Sequence, residues 1–390
     1  MTEPEPLREP SARRFAAHLA AQGLTRRVLE LPESTRTAAD AARAVGCQVR
    51  QIVKSLVFRA GAEGPPVLFL VAGSNRVDPA RAAELVGVPL ERADPEFVRS
   101  VTGYAIGGVP PAGHARSIPA YVDYELLAES ELWAAAGHPH AVFRLKPLEL
   151  LRLTRARPVP LDARPPGPAP GARWVTFDCY GTLIDWRAGL IEAARRRGWV
   201  DSAESGDAFF AAYLAAEPAV EGAAYRPYRE IVAATVGRVG EQRGHRIAPG
   251  AAAEFVDSVP EWPAFADAAP LLRELRARGR RVAILSNIDR DLLAATLARH
   301  DLEVDRTVTA EEVRSYKPAP AHWIRFLRAT GADPRSTLHV SASYEYDLET
   351  AGLLGGRTAY VARYGPLPAE RPVDRRLADL ASAAELLGEA

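Results

Sequence analysis

The stretch Trp174-Val-Thr-Phe-Asp178-Cys-Tyr-Gly-Thr182-Leu-Ile-Asp185 decides how the second half of the chain is read. Its first four residues are apolar or β-branched, which predicts a short buried strand. Gly181 then allows a tight turn. Such a strand delivers Asp178 to its carboxyl end, where turn N–H groups can surround an anion and a carboxylate can act as a covalent nucleophile. By itself, Asp-x-x-Gly-Thr is as compatible with an aspartate that merely caps a turn.

Three segments further along shift that balance. Ala283-Ile-Leu-Ser286-Asn287 reads as a strand ending in a hydroxyl and an amide. Ser315-Tyr-Lys317-Pro318 places a lysine at a loop start, and Leu338-His-Val-Ser-Ala-Ser343-Tyr-Glu-Tyr-Asp347 is a strand followed by an acidic loop. A helical stretch is predicted from about Ala188 to Val256, a helix over Ala268–Arg278, and strands over Arg281–Leu285, Leu338–Val340 and Thr358–Val361. This alternation predicts a parallel, doubly wound sheet with its chemistry at the carboxyl ends of the strands. A hydroxyl and an ammonium placed there can hold a substrate anion and balance the charge of the nucleophile.

Over residues 173–366 this ordered set resembles the haloacid dehalogenase (HAD) superfamily. The resemblance implies a Rossmann-like parallel-sheet core with a helical cap at about 190–265. It assigns Asp178 as nucleophile, Thr182 and Ser286 as substrate-anion contacts beside Asn287, Lys317 as the charge-balancing cation and Asp347 as the acidic-loop residue. Two departures bear on the subclass. The phosphatases of the superfamily carry a second aspartate where this chain has Tyr180, and begin the acidic loop with a metal-binding aspartate where it has Ser343. Both losses weaken a Mg²⁺-dependent reading, because Mg²⁺ wants several hard oxygen ligands. Asp178 and Asp347 would be the metal ligands if Mg²⁺ were used. Asp-x-Tyr-Gly-Thr looks like the L-2-haloacid dehalogenase branch, which requires no metal. That match is also incomplete: Tyr344 stands where the branch has asparagine, and Trp323 where it has tyrosine. Arg226 and Arg229 are the candidates for a cap arginine that meets a substrate carboxylate or the departing halide. Dehalogenation, another small-molecule hydrolysis and a degenerate site all stay open.

The length of 390 residues predicts two or three domains at about 150 residues each. With 47% hydrophobic and 25% charged residues, the composition excludes a mostly disordered or collagen-like chain. No apolar run approaches the length of a membrane span, and the start of the chain has no apolar h-region. Cys47 and Cys179 make neither a disulfide framework nor a zinc site, so a cytoplasmic location is expected. Of 49 basic residues 46 are arginine, so a surviving lysine marks a place where a compact ammonium is wanted. The segment 157–173 holds six prolines and two glycines and is predicted to be an extended linker. Residues 1–10 read as a disordered tail, leaving domains at 11–156 and 174–390.

The first domain reads as mixed α/β. Helices are predicted over Ala12–Gln22, Thr37–Val45 (following Ser34 and Thr35) and Pro79–Val86, and strands over Ile52–Phe58 and Val67–Ala72. Lys54 interrupts an otherwise apolar strand, and the scarcity of lysine suggests that it meets an anion there. Thr102-Gly-Tyr-Ala-Ile-Gly107-Gly108-Val-Pro-Pro111-Ala-Gly113-His114 is a glycine loop that lets backbone approach a ligand closely. Together with Thr37-Ala-x-x-Ala-Ala, Val122-Asp123, Ala136-Gly137 and Phe143-Arg-Leu-Lys-Pro-Leu-Glu-Leu, these motifs resemble the YbaK/ProX-type trans-editing family. That resemblance covers about residues 12–155 and implies a barrel-like sheet and deacylation of mischarged tRNA. It implies that Lys54 binds the tRNA acceptor end and that Gly107, Gly108 and Pro111 shape the aminoacyl pocket. His114 is expected to be an exposed loop residue and Asp123 to be structural. Residues 1–155 hold 19 basic and 17 acidic residues, so there is no basic stripe of the kind that marks strong RNA binding.

The whole reads as a two-domain hydrolase. Its expected partners are a tRNA acceptor end and a small-molecule substrate, with no membrane and no DNA. The alternative is a non-catalytic tRNA- or aminoacyl-binding first domain, with a haloacid dehalogenase or a Mg²⁺-dependent phosphatase as the second.

Overall fold

The computed structural model describes residues 7–24, 28–32, 37–161, 173–222, 224–244, 246–381 and 383. The chain divides into two units, residues 1–166 and 167–390. Residues 1–6 of the expected tail, Ser34 and Thr35, and 162–172 of the expected linker lie outside the described residues.

In the first unit the described strands are β1 (Val28–Glu30), β2 (Ile52–Ala60), β3 (Pro66–Ala72), β4 (Leu90–Arg92), β5 (Ala120–Asp123), β6 (Leu132–Ala135), β7 (Ala141–Leu145) and β8 (Arg157–Val159). They form one mixed sheet in the order β1-β7-β6-β2-β3-β5-β8, with β4 also on β2. The run Val67–Ala72 is apolar and fully buried, as a strand covered on both faces requires. The helices are α1 (Pro10–Ala21), α2 (Ala38–Val45), α3 (Pro79–Val86), α4 (Pro95–Thr102), α5 (Tyr124–Leu127) and α6 (Pro147–Thr154). Thr37 caps α2 by accepting the Asp40 N–H at 3.1 Å, and Gly46 closes it in the left-handed conformation.

Three expectations change here. Residues 157–159 are strand rather than linker: they pair with β5, and Pro158 is tolerated because β8 ends the sheet. Residues 7–10 are not a free tail. The Arg8 and Glu9 N–H groups donate to the Glu30 carboxylate at 2.9 and 2.8 Å, and α1 begins at Pro10. The sheet does not close into a hydrogen-bonded barrel, since β1 and β8 are its two ends among the described residues.

The second unit has β9 (Trp174–Phe177), β10 (Arg281–Ser286), β11 (Arg306–Thr309), β12 (Thr337–Ser341), β13 (Arg357–Val361) and β14 (Arg375–Leu377). Their order is β11-β10-β9-β12-β13-β14, and every pairing is parallel. Between β9 and β10 the chain forms the cap helices α7 (Trp186–Arg196), α8 (Ala203–Glu221), α9 (Tyr228–Gln242) and α10 (Pro249–Asp257). Helices α11 (Ala268–Ala277), α12 (Arg290–Arg299), α13 (Ala310–Val313), α14 (Ala321–Thr330) and α15 (Glu349–Leu353) complete the unit. One apolar cluster runs from the sheet (Phe177, Ile284, Val340) into the cap (Phe209, Tyr213, Phe255). Central β9 lies between β10 and β12, so the residues just past these three strands converge on one sheet edge.

Candidate functional site

Asp178 follows β9 directly, and its N–H still pairs with Val340 O at 3.1 Å. Its Oδ2 accepts the Thr182 hydroxyl at 3.0 Å, while that hydroxyl in turn accepts the Ala342 N–H at 3.0 Å. The Asp-x-x-x-Thr spacing is therefore a clamp: the turn brings Thr182 back onto the carboxylate and ties both to the loop after β12. Asp178 Oδ1 accepts from Lys317 Nζ at 2.8 Å, and the same ammonium donates to Asp347 Oδ1 at 2.6 Å. Lys317 is 2% exposed, a burial that a lysine tolerates only when paired. Asn287 fixes where this lysine starts: its side-chain carbonyl accepts the Lys317 N–H at 2.7 Å and its amide donates to Lys317 O at 3.3 Å.

Asp347 sits on a π-helical segment, Tyr344–Leu348, a geometry frequent at functional sites. Its Oδ2 accepts the Ser341 hydroxyl at 3.0 Å, and its Oδ1 also meets His339 Nε2 at 3.0 Å. His339 Nδ1 lies 2.8 Å from the Thr176 hydroxyl, and the tautomer that satisfies both contacts donates to Asp347. Burial opposes ionisation of Asp347, but Lys317 and His339 outweigh it and hold the carboxyl below its usual range. For Asp178 the balance differs. Burial, aided by the nearby Asp347 charge, raises its carboxyl despite Lys317.

A cavity of about 270 Å³ opens over these groups; Asp178, Tyr180, Ser286, Asn287, Lys317, Ser343 and Asp347 all line it. Tyr180 has no proton to offer a substrate, because its hydroxyl donates to Thr296 Oγ1 at 2.7 Å, whose own proton goes to Leu292 O. Burial also raises its phenol well above the ordinary value. Ser343 caps the acidic loop by accepting the Tyr346 N–H at 3.3 Å. Arg226 and Arg229 are not brought to this cavity. Arg226 donates to Val220 O, and Arg229 pairs with Asp289 and Asp291. Trp323 packs edge-on against His339 with Lys317 Nζ 5.9 Å from its ring centroid, and Tyr344 is buried among Leu348 and Tyr360.

The donor set does not fit Mg²⁺. All four oxygens of Asp178 and Asp347 accept protein hydrogen bonds, and the Lys317 ammonium occupies the space between the two carboxylates.

Sequence reasoning missed Arg363. Its guanidinium makes a bidentate pair with Asp267 at 2.6 and 2.9 Å and donates to Thr182 O at 3.1 Å, bracing the turn that carries the clamp. A lone buried arginine far from every motif has no local signature.

In the first unit, a cavity of about 220 Å³ is lined by Ala41, Ile52, Lys54, Gly107 and Ala134 among others. Lys54 Nζ donates to Gly73 O at 3.2 Å and to Asn75 O. Burial, helped by Arg76, lowers the pKa of this amine against the pull of Asp123. Gly107 lines the cavity in a left-handed conformation. Gly108 and Pro111 do not line it. Gly108 lies so close to the His138 backbone that a Cβ would sit 2.7 Å from His138 Cα, and it accepts the Gly137 N–H at 3.0 Å. His114 is half-buried rather than exposed, with Nε2 2.8 Å from Pro110 O, and burial lowers its pKa. Asp123 is buried and caps α5 while accepting from Asn75 Nδ2 at 2.8 Å. Four exposed large apolar side chains border the two cavities: Ile106 at this one, and Leu214, Tyr346 and Tyr364 at the other. No described helix is long and apolar enough to cross a membrane.

Two family models match the chain. One is described as an aminoacyl-tRNA editing domain and matches residues 32–153; the other, a haloacid dehalogenase-like hydrolase, matches residues 172–355. The chain is 33% identical over 124 residues to the uncharacterised protein YwhH of Bacillus subtilis, covering 32% of this chain and 78% of that protein. It is 32% identical over 116 residues to (S)-2-haloacid dehalogenase 4A of Burkholderia cepacia, covering 29% of this chain and only 50% of that relative. A solved structure, described as that of a candidate trans-editing enzyme for prolyl tRNA synthetase, is 54% identical with a TM-score of 0.38, covering 40% of this chain and 98% of its own.

Proposed function

We infer, for a chain that belongs to the aminoacyl-tRNA editing domains through residues 32–153 and to the haloacid dehalogenase-like hydrolases through residues 172–355, that its first unit deacylates mischarged tRNA and its second hydrolyses a small molecule through an ester on Asp178. The chain is a two-domain hydrolase. The observation that carries the second activity is the buried ammonium of Lys317 held between Asp178 and Asp347.

The chemistry follows from that triad. Thr182 and Lys317 each hold one oxygen of Asp178, so the carboxylate is oriented before substrate arrives. An Asp178 oxygen attacks the electrophilic carbon, and the leaving group departs with its bonding pair. Water then adds to the ester carbonyl of Asp178. The alcohol product leaves, the carboxylate returns and one proton is released. Lys317 carries the balancing positive charge throughout. Because the donor set does not suit Mg²⁺, turnover at this site is expected to survive EDTA unchanged. Phosphate release that is lost in EDTA and restored by Mg²⁺ would favour the phosphatase reading instead.

For the first unit, the small and largely apolar lining of its cavity supports an uncharged, short aminoacyl group as the part recognised. Backbone N–H groups of the glycine loop would polarise the ester carbonyl for attack by water. Lys54 at the cavity wall can leave its two carbonyl partners for an acceptor-end phosphate. A charge-assisted contact of about 1.5–3 kcal/mol corresponds to roughly 10- to 100-fold. Lys54→Ala is therefore expected to lower kcat/KM by about that factor on whichever member of a mischarged-tRNA panel, including alanyl- and cysteinyl-tRNA(Pro), the intact protein hydrolyses. Tight binding of the panel without turnover by the unmodified protein would reduce this unit to a binding module.

A further inference from the structure

The wall of the 270 Å³ cavity that faces the cap has a composition unsuited to a small carboxylate anion. Helix α8 contributes Leu214, Glu217 and Glu221 to it, a 3- and 4-residue spacing that puts all three on one helix face. Glu217 Oε1 accepts two hydroxyls, Tyr228 at 2.7 Å and Tyr213 at 3.1 Å, so this carboxylate is oriented by donors that bring no charge. Burial raises its pKa against those two donors, as expected for a carboxyl that lacks a cation. The two arginines that could have supplied one are engaged elsewhere, Arg226 on Val220 O and Arg229 on Asp289 and Asp291. Among the described residues that line the cavity, Lys317 is the one cation, and it is already shared by two carboxylates.

An independent feature points the same way. The rings of Trp186, Tyr180, Tyr228, Tyr346 and Tyr364 also line this space. Aromatic faces beside an oriented carboxylate are the surroundings that attract an organic ammonium.

We propose that the second unit acts on a small cationic substrate, whose ammonium group is held by Glu217 against the aromatic wall while its reacting carbon is delivered to Asp178. The inference rests on Asp178 being the nucleophile of this cavity. It sets the substrate class apart from 2-haloacids, because a carboxylate would face Glu217 while Lys317, the one cation among the described lining residues, is already shared by two carboxylates.

A charge series of otherwise similar electrophiles tests it on the full-length protein: 2-bromoethylammonium, 2-bromoacetamide and 2-bromoacetate, each read as bromide release relative to its uncatalysed rate. With the cation, an Asp178 oxygen forms the C–O bond as bromide leaves with the C–Br pair, and water then frees protonated 2-aminoethanol, one further proton and the carboxylate. The cation is expected to show at least a tenfold greater enhancement than the anion. Glu217→Gln is expected to lower the ratio of cation to neutral-probe enhancement at least tenfold. Greatest enhancement with 2-bromoacetate, or an unchanged ratio in Glu217→Gln, overturns the proposal while leaving the nucleophile intact. The nucleophile is judged separately, by mass-spectrometric detection of an ester on the Asp178 peptide. If no probe esterifies Asp178, that reading falls, and ligand-observed NMR titration with 2-aminoethanol and glycolate still decides the charge preference. Tighter binding of 2-aminoethanol supports it; tighter binding of glycolate overturns it.

Discussion

Asp178→Asn is expected to abolish turnover at the C-terminal cavity, with a loss on the order of 10⁴-fold or more, the scale on which removal of a nucleophile is felt. The amide oxygen is no match for a carboxylate as a nucleophile, and Asp347, the other carboxylate beside Lys317, is already held by three protein donors. The fold should survive the change. Lys317 keeps Asp347 as its partner at 2.6 Å, and the isosteric amide oxygen can still accept from Thr182 or from Lys317, though not from both as the carboxylate does. The variant thus separates chemistry from structure: product release should vanish while the protein still folds and unfolds cooperatively, with its midpoint lowered by less than in a variant that loses Lys317. A second readout examines the route itself. If water attacks the ester of Asp178, a single turnover in ¹⁸O-water leaves the label in the Asp178 carboxylate. Label appearing first in the product would show direct attack of water on the substrate, and the aspartyl ester would be wrong.

The second large effect belongs to Lys317. Lys317→Met keeps the length and apolar character of the stem but removes the ammonium, leaving two buried carboxylates with only Thr182, Ser341 and His339 as donors. Breaking a buried ion pair by deleting one partner costs about 3–5 kcal/mol. The pH dependence has a definite sign. In the parent, Asp347 is held below its unfolded value, so its contribution is present above that value and is lost as pH falls through its folded pKa. In the variant the uncompensated carboxylates titrate above their unfolded values, so their penalty is full at neutral pH and fades as pH falls through the raised values. The stability gap between parent and variant should therefore be widest near neutrality and narrow in acid. Any residual activity should have its acid limb displaced to higher pH, because Asp178, already raised by burial, rises further without Lys317. Denaturant unfolding at several pH values tests the first statement. A gap that is constant or grows in acid would show that the ammonium does not compensate these carboxylates.

The parts of the second site visible in the sequence are those set by short strands and the turns after them. Asp178, Ser286, Lys317 and Asp347 each follow a strand end or open a loop, so local spacing placed them, and the parallel sheet brought them to one edge. Thr182 was legible because four residues of turn carry it back to Asp178. The cap was not legible in the same way. Arg226 and Arg229 carry the right charge at a plausible distance along the chain, yet Arg226 is turned back onto Val220 O and Arg229 onto Asp289 and Asp291, contacts that no local pattern encodes. Glu217 left one signal that could have been used. It lies four residues after Tyr213 in an alanine-rich helix, a spacing that places both on one face. In the first unit, Pro158 and Pro160 made a strand look like a linker, because an edge position that excuses proline is a fact of the sheet and not of the segment. Lys54 was placed correctly on its strand, but its present partners, Gly73 O and Asn75 O, are carbonyls invisible to composition.

The Asp289 carboxylate takes the N–H groups of Tyr228 and Arg229 at 2.8 Å each, and so closes the first turn of cap helix α9 from a loop of the core some 60 residues away. A cap excised between β9 and β10 therefore leaves part of its own helix terminus behind. In a chimera that grafts this cap onto another core, or another cap onto this one, α9 arrives with two bare N–H groups unless an aspartate at position 289 travels with it. That same loop holds Asn287, which sets where Lys317 begins. The natural unit of exchange is accordingly the cap together with residues 286–291, and specificity transplanted on any shorter fragment would be grafted without the hinge pin that seats it over the nucleophile.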